Sequence, residues 1–198
     1  LDADGDFDLA AGRGDGRLDY YENVGDAHTA RWRLNTDRFA EVTATGPSSP
    51  AFADIDRDGD LDLFVGTGDG QIRFYRNDGT GQAGIWRLVD SQYAGVKYAH
   101  MALPALADSD SDGDYDLFIG GDGGGVHFFR NEGTANAPSW RLITNQYGGV
   151  TGSGALDFAF VDIDGDADLD LFTGEHWGIV RFFRNDGTAQ SAAWTPVA

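Results

Sequence analysis

The chain has no cysteine, which excludes disulfide staples, thiolate zinc sites and cysteine nucleophiles. Lys97 is its only lysine. No stretch approaches the roughly 18 apolar residues of a membrane-spanning helix, and no Asn-x-Ser/Thr sequon occurs. No segment carries sustained helical periodicity with caps at its ends. Histidine is scarce: His28, His100, His127 and His176 are scattered, so no Ser-His-Asp or histidine-metal arrangement follows from them. Positive charge is scarce too. Lys and Arg number 14 against 33 Asp and Glu, a formal net charge of −19, so phosphates would be repelled. Nucleic acid and anionic membrane are therefore not expected partners. At 198 residues, with 41% hydrophobic and 13% aromatic content, the chain has material for a real core. It opens inside a repeat with no initiating methionine, as a mature or excised piece would.

What is abundant is aspartate, written in one pattern. Loop 2 runs Asp54, Asp56, Asp58, Gly59, Asp60, Asp62; loop 3 runs Asp108, Asp110, Asp112, Gly113, Asp114, Asp116. Loop 4 runs Asp162, Asp164, Asp166, Ala167, Asp168, Asp170, with alanine in place of glycine. Loop 1 is Asp2, Asp4, Gly5, Asp6, Asp8, its opening position lying before Leu1. Carboxylates this dense repel one another unless they are solvated or a hard cation sits among them. Calcium takes six to eight oxygens at about 2.3–2.6 Å, which alternating aspartates in a tight loop can supply. Three to four calcium ions are expected, the first loop being weakest or completed by another chain. The pattern matches an EF-hand over its first six positions but lacks the glutamate at position 12 and the flanking helices, so that motif is rejected.

The copies lie 54 residues apart, and other residues keep the same spacing: Trp32, Trp86, Trp140, Trp194; Gly12, Gly66, Gly120, Gly174; Asn23, Asn77, Asn131, Asn185. A period of this size means stacked supersecondary units. Each unit reads as short strands: Leu61–Gly66 after the acidic loop, Gln71–Arg76 beyond the turn at Gly68-Asp69-Gly70, then a tryptophan strand at Trp86–Val89. A small-residue strand, Ala102–Ala107, runs into the next loop. Four strands per unit of this length suit a β-propeller blade. The fold expected is an all-β propeller of 54-residue four-stranded blades, about four of them, the first lacking its inner strand and fifteen strands in all. The organisation expected is a single repeat domain over 1–198, with blades at approximately 1–49, 50–103, 104–157 and 158–198.

The acidic loops followed by Leu61-Asp62-Leu63-Phe64-Val65-Gly66, by Tyr75-Arg76-Asn77-Asp78-Gly79-Thr80 and by a tryptophan strand resemble the FG-GAP/VCBS repeats. These are the blades of integrin-alpha-like calcium-binding propellers, and the resemblance spans essentially the whole chain. It implies an extracellular or cell-surface protein. It also implies loop positions one, three, five and nine as carboxylate ligands, with position seven contributing its backbone carbonyl. The side-chain ligands would then be Asp54, Asp56, Asp58 and Asp62 in loop 2, with Asp60 by backbone. The corresponding sets are Asp108, Asp110, Asp112, Asp116 and Asp114 in loop 3, and Asp162, Asp164, Asp166, Asp170 and Asp168 in loop 4. The sixth-position glycine is expected to be left-handed.

Positions that break the repeat are the better places to seek a ligand. Glu175-His176-Trp177 replaces a Gly-Asp-Gly turn, and Tyr93, Lys97 and Tyr98 crowd another variable loop. Both sets could grip a glycan. Arg13-Gly14-Asp15 reads as a repeat-derived turn. The expected function is a non-catalytic, calcium-stabilised extracellular module for adhesion, scaffolding or glycan binding, with a glycan or an extracellular protein as partner. Two alternatives are a propeller portion of a polysaccharide-lyase-like enzyme and a filament subunit that assembles by strand exchange through its incomplete first blade.

Overall fold

Short runs of large apolar residues closed by tight turns pair into antiparallel ribbons. The computed structural model describes residues 1–197 apart from Ala3, Ala99, Gly152 and Ser153. It is all-β, with fifteen strands and three single 3₁₀ turns among the described residues. Packing divides the chain into two units, Leu1–Ala102 and Leu103–Ala198.

In the first unit, β1 (Leu9–Gly12), β2 (Leu18–Asn23) and β3 (Trp32–Thr36) form a three-stranded sheet in that order. Next come β4 (Ser48–Ala53), β5 (Asp62–Thr67), β6 (Ile72–Asn77) and β7 (Trp86–Asp90), again in sequence order. In the second unit, β8 (Ala102–Ala107), which begins at the boundary, pairs with β9 (Asp116–Gly121). Strand β9 continues to β10 (His127–Asn131) and β11 (Trp140–Thr144). The last four, β12 (Leu156–Val161), β13 (Asp170–Glu175), β14 (Val180–Asn185) and β15 (Trp194–Val197), repeat the pattern. A bridge between Leu156 and Gly121 joins the two sheets of this unit.

The fifteen strands and the three-stranded first sheet match the sequence expectation. The blade limits differ slightly, because the cuts at 49/50, 103/104 and 157/158 fall inside β4, β8 and β12. Backbone pairing sets the true edge: Ser48 already faces Thr67 at the start of the β4–β5 ladder.

Strands β5 and β9 are buried on both faces, which suits their β-branched and aromatic content. Leu63, Phe64 and Val65 in β5 and Leu117, Phe118 and Ile119 in β9 are fully buried. The glycine at the end of this strand answers a close approach. A Cβ on Gly12 would lie 1.9 Å from the Ser48 carbonyl oxygen, and one on Gly120 would lie 2.1 Å from that of Leu156. The following inner strand therefore crosses directly over it.

Phenylalanines stack across the ladders, Phe64 on Phe74 at 4.9 Å, Phe118 on Phe128 at 4.7 Å and Phe172 on Phe182 at 4.6 Å. The 3₁₀ turns Tyr93–Gly95 and Tyr147–Gly149 set a third ring on two of these pairs, Tyr93 at 5.2 and 5.0 Å and Tyr147 at 4.9 Å from both partners. Each such ring pair contributes about 0.5–1.5 kcal/mol beyond its area. Tyr93 and Tyr98, expected as ligand-facing residues, are thus corrected to core: both are buried, while Lys97 between them is exposed. Two of the four column tryptophans pack in the core, whereas Trp32 is 50% exposed. Trp86 packs on Phe39 and Phe52, and Trp194 packs on Tyr147.

Two positions break the burial pattern of the repeat. Leu9 is 43% exposed where Leu63, Leu117 and Leu171 are fully buried, since β1 has no inner strand beside it. Val180 is 73% exposed where Leu18, Ile72 and Val126 are fully buried.

Candidate metal sites

Loops 2, 3 and 4 each run from an inner strand to the next strand of the same sheet, and they are shaped by left-handed residues. The fourth and sixth positions both have positive φ: Arg57 (59°) and Gly59 (95°), Ser111 (57°) and Gly113 (93°), Gly165 (81°) and Ala167 (73°). The sixth-position expectation holds, and position four is left-handed as well, in loop 4 through Gly165. Loop 4 has moved its glycine from the sixth position to the fourth and holds an alanine left-handed in exchange. That conformation costs an L-residue about 1–2 kcal/mol. Ala167→Gly is accordingly expected to stabilise the second unit by about 0.5–1 kcal/mol, part of the gain being lost to glycine's freer unfolded chain. Chemical denaturation without added metal measures this; a destabilised variant would show that Ala167 is unstrained.

The turn gathers carboxylates around one point. The Asp54 carboxylate accepts backbone N–H bonds from Asp58 (3.1 Å) and Gly59 (3.0 Å), and Asp108 accepts from Gly113 (3.0 Å). Asp162 accepts from Gly165 (2.7 Å) and Ala167 (3.1 Å). Fifth-position carboxylates accept from the seventh-position N–H, at 3.0 Å in loop 2, 2.8 Å in loop 3 and 3.1 Å in loop 4. The result is three cups, Asp54/Asp56/Asp58, Asp108/Asp110/Asp112 and Asp162/Asp164/Asp166, each with one oxygen per residue lying within 4.8 Å of the others. Loop 1 shows the same internal bonding, Asp4 N–H to Asp2 and Asp6 N–H to Asp4, both at 3.2 Å.

The residues fit a hard cation, and the polar atoms left over show it. Buried carboxylate oxygens without a hydrogen-bond partner occur in all four loops: on Asp6, on Asp56 and Asp62, on Asp108 and Asp110, and on Asp168. Unpaired buried acceptors are costly, and Asp62 and Asp168 are only 2% and 7% exposed. Burial first, and neighbouring carboxylates after it, push the Asp62 carboxyl up to about 6. The same two causes raise Asp56, Asp108 and Asp168. A divalent ion would reverse both causes at once.

The ninth-position aspartates open β5, β9 and β13 and have a second task. One oxygen of Asp8, Asp62, Asp116 and Asp170 accepts the backbone N–H of Asn23, Asn77, Asn131 and Asn185, at 2.8–2.9 Å. These asparagines are buried, and each side-chain oxygen takes two further N–H groups. Asn77 accepts from Gly79 at 3.0 Å and Ile85 at 2.9 Å; Asn131 accepts from Gly133 and Ser139 at 3.0 and 2.9 Å. An aspartate–asparagine clamp thus links the acidic loop to the turn that leads into the outer strand. The recurrence of asparagine was visible in the sequence, but its burial and bonding were not.

The remaining aspartic oxygens differ between repeats. In loop 3 the Ser109 hydroxyl donates to the second oxygen of Asp116, whereas Ile55 and Ile163 hold that position in loops 2 and 4. Asp114 accepts the Ala135 N–H at 3.0 Å, and Asp60 is partly exposed. A cleft of about 490 Å³ lies between loops 3 and 4, lined by Asp108, Tyr115, Phe160, Asp162, Asp168 and Leu169 among others.

Away from the loops, Trp177 is 73% exposed and meets His176 edge-on at 5.0 Å, beside the exposed His176 ring. Glu175 is buried, and its carboxylate accepts the Arg181 Nε–H at 2.7 Å, so it supports the turn. In the Arg13-Gly14-Asp15 triplet, Arg13 folds back onto Asp15 at 3.2 Å and Asp19 at 3.1 Å.

The FG-GAP-like repeat family matches the chain three times in overlapping stretches, at residues 1–65, 58–119 and 108–173. No curated protein matches it.

Proposed function

Because the chain belongs to the FG-GAP-like repeat family, we propose that it is a calcium-stabilised, β-propeller-like module that works outside the cell as a non-catalytic binding or scaffolding surface. The observation that carries the reading is the recurrence of carboxylate cups with orphaned buried oxygens. Calcium supplies the positive charge these oxygens lack, and it ties each inner strand to its neighbour. Repeats of this family are typical of extracellular proteins, and no helix of the described chain is long and apolar enough to cross a membrane.

The surface offered to a partner centres on the exposed Trp177, whose flat face beside His176 suits a pyranose ring. A glycan array and a panel of extracellular proteins test this, with Trp177→Ala as control. Binding that drops at least about tenfold in the variant supports the assignment, since a buried aromatic anchor is worth 1–3 kcal/mol or more. Binding untouched by the variant moves the site elsewhere. Turnover of a polyuronide by the purified protein would replace this reading with the lyase-like one.

A further inference from the structure

The three cups are not equivalent, and one of the differences is the partner of an arginine. In the second repeat Arg76 Nε binds Asp78 at 2.5 Å, and the same carboxylate holds Arg87 at 2.5 Å. In the fourth repeat Arg184 Nε binds Asp186 at 2.6 Å. The third repeat carries Glu132 where those two carry Asp78 and Asp186. Glu132 pairs with Arg141, the counterpart of Arg87. Arg130, the counterpart of Arg76 and Arg184, turns instead to the metal loop, with its Nε 3.3 Å from an oxygen of Asp110. Asp110 is the middle member of the Asp108/Asp110/Asp112 cup.

We infer that Arg130 is a resident counter-charge of loop 3, which partly neutralises this cup and makes it the weakest calcium site of the three, with Glu132 as the residue that releases it there. The longer glutamate reaches outward to Arg141, and the guanidinium takes the nearest remaining carboxylate. A metal entering loop 3 must compete with a cation already 3.3 Å from Asp110, whereas Arg76 and Arg184 pair with Asp78 and Asp186 and act on Asp56 and Asp164 only as neighbouring charges. The inference rests on the calcium reading of the loops.

The test uses terbium, whose luminescence is sensitised by a nearby aromatic ring, with calcium as competitor. Tyr115 lies within loop 3 at the position held by Leu61 and Leu169 in loops 2 and 4, so the part of the tyrosine-sensitised signal that is lost in Tyr115→Phe reports loop 3. Loss of the signal in Asp112→Asn confirms the assignment. Two variants are compared with the parent. Arg130→Gln removes the counter-charge; Glu132→Asp keeps the net charge and restores the carboxylate that holds this arginine in the other repeats. Both are expected to tighten calcium at loop 3 by about three- to tenfold, the scale of a partly screened charge at this distance. In metal-free buffer Arg130→Gln is expected to lower the melting temperature, because loop 3 then loses the counter-charge beside Asp110. Affinity at loop 3 that is unchanged or weaker in Glu132→Asp overturns the inference while leaving calcium binding intact. Absence of binding at every loop overturns the calcium reading and this inference with it.

Discussion

Asn77→Ala is expected to destabilise the first unit by about 3 kcal/mol, more than any single exposed substitution in it. The side-chain oxygen of Asn77 is the acceptor for two backbone donors, Gly79 and Ile85. Asn77 itself is 3% exposed, so water does not replace that oxygen. Leaving a buried donor unsatisfied costs about 1–3 kcal/mol, and here there are two. The turn into β7 would loosen with it, because those bonds fix the chain between β6 and Trp86, whose ring packs on Phe39 and Phe52. Urea denaturation followed by tryptophan fluorescence measures the loss. The exposed neighbour Gln82→Ala should change stability by no more than about 0.5 kcal/mol. A loss below about 1 kcal/mol for Asn77→Ala would mean that the clamp carries little of the fold's stability.

The second large effect is that of calcium itself. Free calcium at a hundredfold its dissociation constant adds about 2.7 kcal/mol for each site present only in the folded state. The cup of loop 2 lies in the first unit and those of loops 3 and 4 in the second, so the second unit should gain about twice as much from its cups. Calorimetric scans with excess calcium and with EGTA should therefore differ, and the two units should shift by unequal amounts. Equal shifts would argue that loop 1 contributes as a full site to the first unit. In the metal-free protein the carboxylates of each cup face one another across less than 4.8 Å, which makes EGTA the destabilising condition. Part of that repulsion is screened at the exposed positions Asp58 and Asp112.

Much of this was legible because the repeat is unbroken. The 54-residue register of Asp, Gly, Asn and Trp set the strand number, the short first sheet and the residues of each cup before any geometry was seen. What the register could not show was conformation that differs among equivalent positions. Ala167 stands where loops 2 and 3 have glycine; its backbone shows that the left-handed requirement falls on two positions, with Gly165 taking the other. Tyr93 and Tyr98 looked like ligand residues because they sit in a variable loop with Lys97. Burial depends on the Phe64–Phe74 stack that Tyr93 covers, through contacts 19 and 29 residues apart along the chain that no local pattern reveals. The asparagine clamp was hidden for a related reason: recurrence marks a residue but not the atoms it bonds. Arg130 was invisible because the deciding change is two residues away, at Glu132.

The measurement closest to the central claim is a count of bound calcium by isothermal titration, checked by elemental analysis of dialysed protein. Binding of at least one ion in each cup is expected, with the count falling by one in Asp56→Asn, which removes the middle carboxylate of loop 2. Protein that binds no calcium, or whose count is unmoved by Asp56→Asn, would contradict the account.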